Sequence, residues 1–272
     1  MTDLKAYLEE RKGMIDRALT ELLPPKDEYP ASIHNALHYS LEGGKRIRPI
    51  LTLAACEAVG GKVENVLVAA CGIEMIHTFS LVHDDLPCLD NDDIRRGQPA
   101  VHKKFGQPIA LLTGDALLSL GFELLSKDGS APAQIEALRE LSRAIGTYGM
   151  IGGQVAELEL KGKEPDLPRL EYVHSHKTGA LIAASLKIGA MLGGGTPQQI
   201  EELFKFGEYA GFTFQIVDDI IDGEGYSVIF ETKGAKEEAE RLTLKAKGHL
   251  ELFGEKGDTL SALADLILHR SQ

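Results

Sequence analysis

Three stretches of the chain are apolar on nearly every side: Asn65–His83 (NVLVAACGIEMIHTFSLVH), Thr178–Leu192 and Phe204–Ile221. A helix with no polar face must be enclosed by other helices. Ile135–Ala144 and Lys233–Gly248 mix charged and apolar positions, as outer helices do. No period-two alternation is evident, Leu and Ala dominate over Val, and there is no Trp, so propensity and pattern both point away from sheet. Turn signals at Pro24-Pro25, Gly43-Gly44, Gly60-Gly61, Lys127–Pro132, Gly162–Pro168 and Gly193–Pro197 separate the helices. None is linker-like, and no repeat of fixed period appears. The expectation is an all-α protein: one large helical bundle, a single domain spanning 1–272.

Composition narrows the class. At 272 residues, with 43% apolar and 26% charged positions, the chain can bury a sizeable core and is neither disordered nor low-complexity. Its 41 acids against 29 bases give a net charge of −12, which disfavours nucleic acid and anionic membrane as partners. Cys56, Cys71 and Cys88 have no metal-ligand spacing and no even pairing, as in a reduced intracellular protein. The polar N-terminus lacks the apolar core of a signal peptide. Asp115 and Lys187 interrupt the most apolar segments, Ile109–Leu125 and Ala180–Gly193, so no membrane span is expected. These features read as a soluble cytoplasmic protein.

The chemistry lies at the ends of the apolar helices. One runs into DDLPCLDNDD, carrying Asp84, Asp85, Asp90, Asp92 and Asp93; another ends in QIVDDIID, carrying Asp218, Asp219 and Asp222. At helical spacing Gln215, Asp218 and Asp222 share a stripe, as do His77, Leu81 and Asp84. Acids at a helix C-terminus meet its partial negative charge. Each like-charge pair at about 8 Å adds on the order of 2 kcal/mol at an effective dielectric near 20. Hard oxygen donors in such excess suit Mg²⁺ held jointly with phosphate oxygens. A single acidic run would read as a solvated helix end; two, each closing an apolar helix, point to metal and phosphate. Lys45, Arg46 and Arg48 in GGKRIRP, Arg95 and Arg96, and Lys177 with Thr178 in HSHKTG supply positive and hydroxyl groups for an anion. Gln154 and Glu157 could join them. His77 taken alone reads as a core histidine.

In this order and at these separations, GGKRIRP, EMIHTFSLVHDDLPCLDNDDIRRG, LLTGDALL, GGQ, KTG and FQIVDDIID resemble the trans-isoprenyl diphosphate synthases, above all the short-chain members that make farnesyl diphosphate. The resemblance covers nearly the whole chain. It implies an all-α bundle around a central cavity, a homodimer, and Mg²⁺-dependent condensation of isopentenyl diphosphate with an allylic diphosphate. It implies Asp84, Asp90 and Asp218 as Mg²⁺ ligands, with Asp85 and Asp222 supporting. Arg95, Lys177 and Gln215 would hold the allylic diphosphate, and Lys45, Arg48, His77 and Arg96 the isopentenyl diphosphate. Thr178 and Gln154 would line the reacting region.

Phe79, five residues before Asp84, is expected to act as the floor for the growing chain and to limit it to fifteen carbons. One departure from the pattern stands out. The family continues after the second aspartate motif with a lysine-bearing lid loop, whereas here Gly223-Glu224-Gly225 leads directly to Tyr226. Either the lid is absent or residues are missing from the sequence at this point, and the second is expected. A terpene cyclase would have no use for Lys45, Arg48 and His77. A non-catalytic regulatory subunit is expected to have damaged aspartate motifs, and both are intact here.

Overall fold

The computed structural model describes residues 3–127, 132–163 and 166–270. The turn signals at 128–131 and 164–165 lie outside the described residues. The all-α expectation holds: α1 (Leu4–Leu22), α2 (Ala31–Leu41), α3 (Ile47–Ala58), α4 (Leu67–Asp84), α5 (Val101–Phe105), α6 (Gln107–Ser126) and α7 (Pro132–Ile145) follow one another. They continue as α8 (Met150–Leu160), α9 (Leu167–Val173), α10 (Ala180–Leu192), α11 (Pro197–Asp222), α12 (Gly225–Ile229), α13 (Glu231–Gly248) and α14 (Asp258–Leu268). The chain forms two compact units. One comprises Leu8–Ile50 and the elements from α4 through α6; the other comprises the first turn of α1, Leu51–Val66 and the elements from α7 on.

In the first unit α4 and α6 form the central pair. Gly72 and Gly121 bring their backbones together, since a Cβ on Gly72 would lie 2.7 Å from the Gly121 carbonyl oxygen. A Cβ on Gly114 would run into the His83 ring at 2.0 Å. Gly72, Ile76, Phe79 and His83 thus fall on one stripe of α4, three of them in direct contact with α6. The helix α6 corrects one expectation: despite Asp115 it is long and apolar enough to cross a membrane, with a mean hydropathy of 1.5. Its seam of Ala110, Gly114, Leu117, Gly121 and Leu124 is buried in this unit.

A second correction is a small hairpin. Ile94 pairs with Pro99 and Arg95 with Gln98. The turn puts Arg96 at φ 54 and Gly97 at φ 74, the double left-handed geometry whose twist suits a two-residue connection. Two-residue arms are too short to show alternation in sequence.

In the second unit α10 and α11 pack closely, a Cβ on Gly207 falling 2.6 Å from Ala183 Cα and one on Gly211 falling 2.8 Å from Gly179 Cα. Thr196 and Gln199 form a capping box at the start of α11, and Gly223 ends it in the left-handed region. The segment His174–Gly179 is one wide π-helical turn feeding α10. The outer helices bury single stripes: Ala137, Leu141 and Ala144 on α7, and Ala235, Ala239, Leu242 and Ala246 on α13.

Candidate active site

The first unit gathers the basic groups along α4, on the side opposite its α6 seam. Glu74 Oε1 accepts from Arg46 Nη1 at 2.8 Å and from Arg96 Nη2 at 3.4 Å. One turn on, His77 Nε2 lies 3.2 Å from Arg48 Nη1. A guanidinium only donates, so this nitrogen accepts and the ring is neutral, its proton assigned to Nδ1. Burial, followed by the charges of Arg48, Arg96, Arg46 and Arg95, holds the His77 pKa well below the ordinary histidine value. Just past the helix end, Asp85 Oδ1 accepts from Arg95 Nε at 2.9 Å and Nη2 at 2.5 Å. Burial nevertheless raises the Asp85 pKa, with Arg95 opposing it. The uncharged imidazole that meets Arg48 thus shares a helix with Glu74, which holds Arg46 and Arg96, and is followed past the helix end by Asp85, which holds Arg95.

The Asp84–Asp90 turn is closed by the Asp90 N–H donating to the Asp84 carbonyl at 2.9 Å. Asp84 is half-buried and Asp90 exposed. Lys45 is exposed in the loop before α3. Phe79 is buried on the α6 side, edge-on to His83 at 5.2 Å between ring centres. At 3.6 residues per turn it points about 140° around α4 from Asp84.

The second unit carries Gln154 on α8, Lys177 and Thr178 on the π turn, and Gln215, Asp218 and Asp222 on α11. Gly153 lets α8 touch the π turn: its Cβ would sit 2.2 Å from Lys177 N. Lys177 pairs with Glu157 on α8. Gln154 Nε2 is buried with no hydrogen-bond partner, a donor set for an acceptor from outside the chain. Asp219 turns back into the fold, where its Oδ2 accepts from Tyr226 N–H at 2.8 Å and lies 3.3 Å from His174 Nε2. Asp218 is paired with Arg270.

Sequence reasoning missed Glu74 and Arg270 as site residues. The signal for Glu74 was visible: an acid one turn before His77 on an otherwise apolar helix. Arg270 carried none, because it comes to Asp218 only through the packing of α14 on α11. Among the described residues no three acidic, His or Cys side chains gather at metal-binding distance. In each unit taken by itself the candidate donors are carboxylates, Asp84 and Asp90 in the first and Asp218 and Asp222 in the second, a chemistry that fits Mg²⁺ when water and phosphate oxygens complete the shell.

Residues 30–235 match the polyprenyl synthetase family model. Geranylgeranyl pyrophosphate synthase 4 of Arabidopsis thaliana is 44% identical over 99% of this chain and 78% of its own length. The heterodimeric geranylgeranyl pyrophosphate synthase large subunit 1, chloroplastic, of the same plant is 42% identical over 98% of this chain and 80% of its own. The crystal structure of an FPP/GFPP synthase from Zymomonas mobilis superposes with a TM-score of 0.91 at 37% identity, covering 98% of this chain and 99% of that one. The chain belongs to the polyprenyl synthetase family, and it is a transferase of the prenyl synthase type.

The match to the first relative runs over 294 positions against 272 residues here, so that relative carries segments with no counterpart in this chain. Between Asp222 and Tyr226 the structure runs through Gly223, Glu224 and Gly225. Glu224 N–H donates to the Asp219 carbonyl at 3.0 Å, and α12 starts at Gly225.

Proposed function

We propose that the protein is a Mg²⁺-dependent synthase that condenses isopentenyl diphosphate with an allylic diphosphate to a twenty-carbon product, geranylgeranyl diphosphate. The observation that carries the reaction is the polar stripe of α4, where Glu74, His77 and Asp85 hold four arginines next to the Asp84–Asp90 turn. The product length is supported by the relatives, which are named geranylgeranyl synthases and are 42–44% identical over nearly the whole chain.

In this reading Lys45, Arg48, His77 and Arg96 hold the isopentenyl diphosphate, and Arg95, Lys177 and Gln215 the allylic one. Asp84, Asp85, Asp90, Asp218 and Asp222 would hold Mg²⁺, which when bound supplies positive charge to the leaving diphosphate. The allylic C–O bond breaks and its electron pair leaves with the diphosphate. The alkene of isopentenyl diphosphate attacks the allylic cation, and a proton passes to the departed diphosphate. Arginine and lysine side chains stabilise the charge that develops on the leaving group. Gln154 and Thr178 line the reacting region, and the apolar walls of the helices keep water from the cation.

A fifteen-carbon product is the second reading, favoured by the bulk of the buried Phe79 ring on α4. A homodimer belongs to the same proposal, supported by Leu111 and Leu112, which lie 48% and 54% exposed on α6. The experiment is incubation with isopentenyl diphosphate, Mg²⁺ and each of dimethylallyl, geranyl and farnesyl diphosphate, with a chelator control. Twenty carbons are expected as the main product. Fifteen would transfer the assignment to farnesyl diphosphate, and no turnover with any starter would leave a regulatory subunit.

A further inference from the structure

The side chain of Glu74 is 1% exposed, and in the reading above it meets arginines but neither substrate nor metal. A carboxylate taken so far out of water is costly unless it is paired and hydrogen-bonded. Its partners are unequal. Arg46 is consumed by structure: Nε donates to Asp16 Oδ1 at 2.7 Å, Nη1 to Glu74 at 2.8 Å, and Nη2 to the Leu41 carbonyl. Those bonds hold Arg46 at φ 58, a left-handed conformation uncommon for a side chain of its size.

Arg96 is held more loosely. Nη1 donates to the Ser40 carbonyl at 3.1 Å, and Nη2 reaches the same Glu74 oxygen only at 3.4 Å. Its backbone sits at the tip of the two-residue hairpin, which by itself leaves a long side chain free to swing. Arg96 also borders a small pocket of about 20 Å³ with Arg95, Asp85, Thr78, Leu81 and Tyr39. Asp16 and Arg46 thus anchor a carboxylate whose second partner, Arg96, borders that pocket beside Arg95 and Asp85.

We propose that Glu74 is a positioning residue: pinned by Arg46, it aims the Arg96 guanidinium at the diphosphate of the isopentenyl substrate. The inference rests on the proposed function for the identity of that anion, and on the hydrogen bonds alone for the coupling. Glu74→Gln keeps the shape and removes the charge, so Arg96 loses its electrostatic anchor while the helix keeps its packing.

The test is a double-mutant cycle on the full-length protein with Glu74→Gln, Arg96→Gln and both together. Initial rates are measured against each substrate with the other saturating. Hydrogen bonds involving charged groups correspond to about a 10- to 100-fold effect. Glu74→Gln is expected to raise the KM for isopentenyl diphosphate by that factor, to leave the allylic KM within about twofold, and to add nothing further in the Arg96→Gln background. Equal increases in both KM values, or independent effects of the two substitutions, would overturn the inference. Should Glu74→Gln fail to fold, Glu74→Asp, which keeps the charge for Arg46 and shortens the reach to Arg96, goes through the same cycle. Calorimetric titration with inorganic diphosphate repeats the cycle without turnover. Non-additivity there in a protein inactive on prenyl substrates would remove the functional reading and leave the positioning role standing; additivity there overturns the positioning role itself.

Discussion

Arg270 is ion-paired with Asp218, and the Nη2 that makes the pair also donates to the Phe214 carbonyl at 2.6 Å, with the guanidinium 3.6 Å above the Phe214 ring. The carboxylate proposed for Mg²⁺ therefore already has a cation of its own, with which a divalent ion would compete. The pair is partly exposed, at 20% and 36% for the two side chains, and contacts of this kind contribute about 1 kcal/mol or less. Arg270→Gln is expected to tighten Mg²⁺ binding to substrate-free protein by up to about fivefold, read by calorimetric titration. Unchanged or weaker binding would show that Arg270 does not compete with the ion.

His77 makes folding sensitive to pH. Its folded pKa lies well below the ordinary histidine value of 6.5, so just below that value the unfolded chain carries a proton that the folded chain refuses. Stability then falls as pH drops, by at most about 1.4 kcal/mol per pH unit for this one group. Urea midpoints at pH 5, 6 and 7 should fall more steeply in the parent than in His77→Gln, whose side chain does not titrate. Equal slopes would mean that His77 is protonated in the folded protein.

Phe79→Ala tests the chain floor. Removing a buried ring costs about 3–5 kcal/mol and opens space on the α6 side of α4. The product is expected to lengthen by at least one five-carbon unit, read from the carbon count. If the variant folds and makes the parent's product, Phe79 is packing alone.

Gly153→Ala should separate α8 from the π turn, because the new methyl would lie 2.2 Å from Lys177 N and 2.7 Å from Lys177 Cα, backbone that has no room to give. Overpacking of this kind costs about 1–3 kcal/mol. Shifting Lys177 and Gln154 together should also lower activity more than tenfold. Gly248→Ala, where an added methyl meets nothing within 4 Å, serves as the control and should be neutral in both measurements.

The chain's own pattern went far. Helices apolar on all sides can be satisfied only by other helices, so Asn65–His83 and Phe204–Ile221 emerged as α4 and α11 with boundaries displaced mainly at their N-terminal ends. The aspartate runs, the arginines and KTG were legible because their side chains have few uses at the end of an apolar helix other than binding charge. The hairpin at Arg96 was not legible, since two positive-φ residues leave no periodic trace.

What the sequence determined is whatever depends on neighbours one helical turn apart: helix identity, the α4 stripe of His77, Leu81 and Asp84, and the chemistry class. What only the tertiary structure decided is which charge meets which. Arg46 and Arg96 share Glu74 from 28 and 22 residues away, and Arg270 finds Asp218 across α11. Coulomb attraction acts through space with no regard for chain separation, so those partners are chosen by packing.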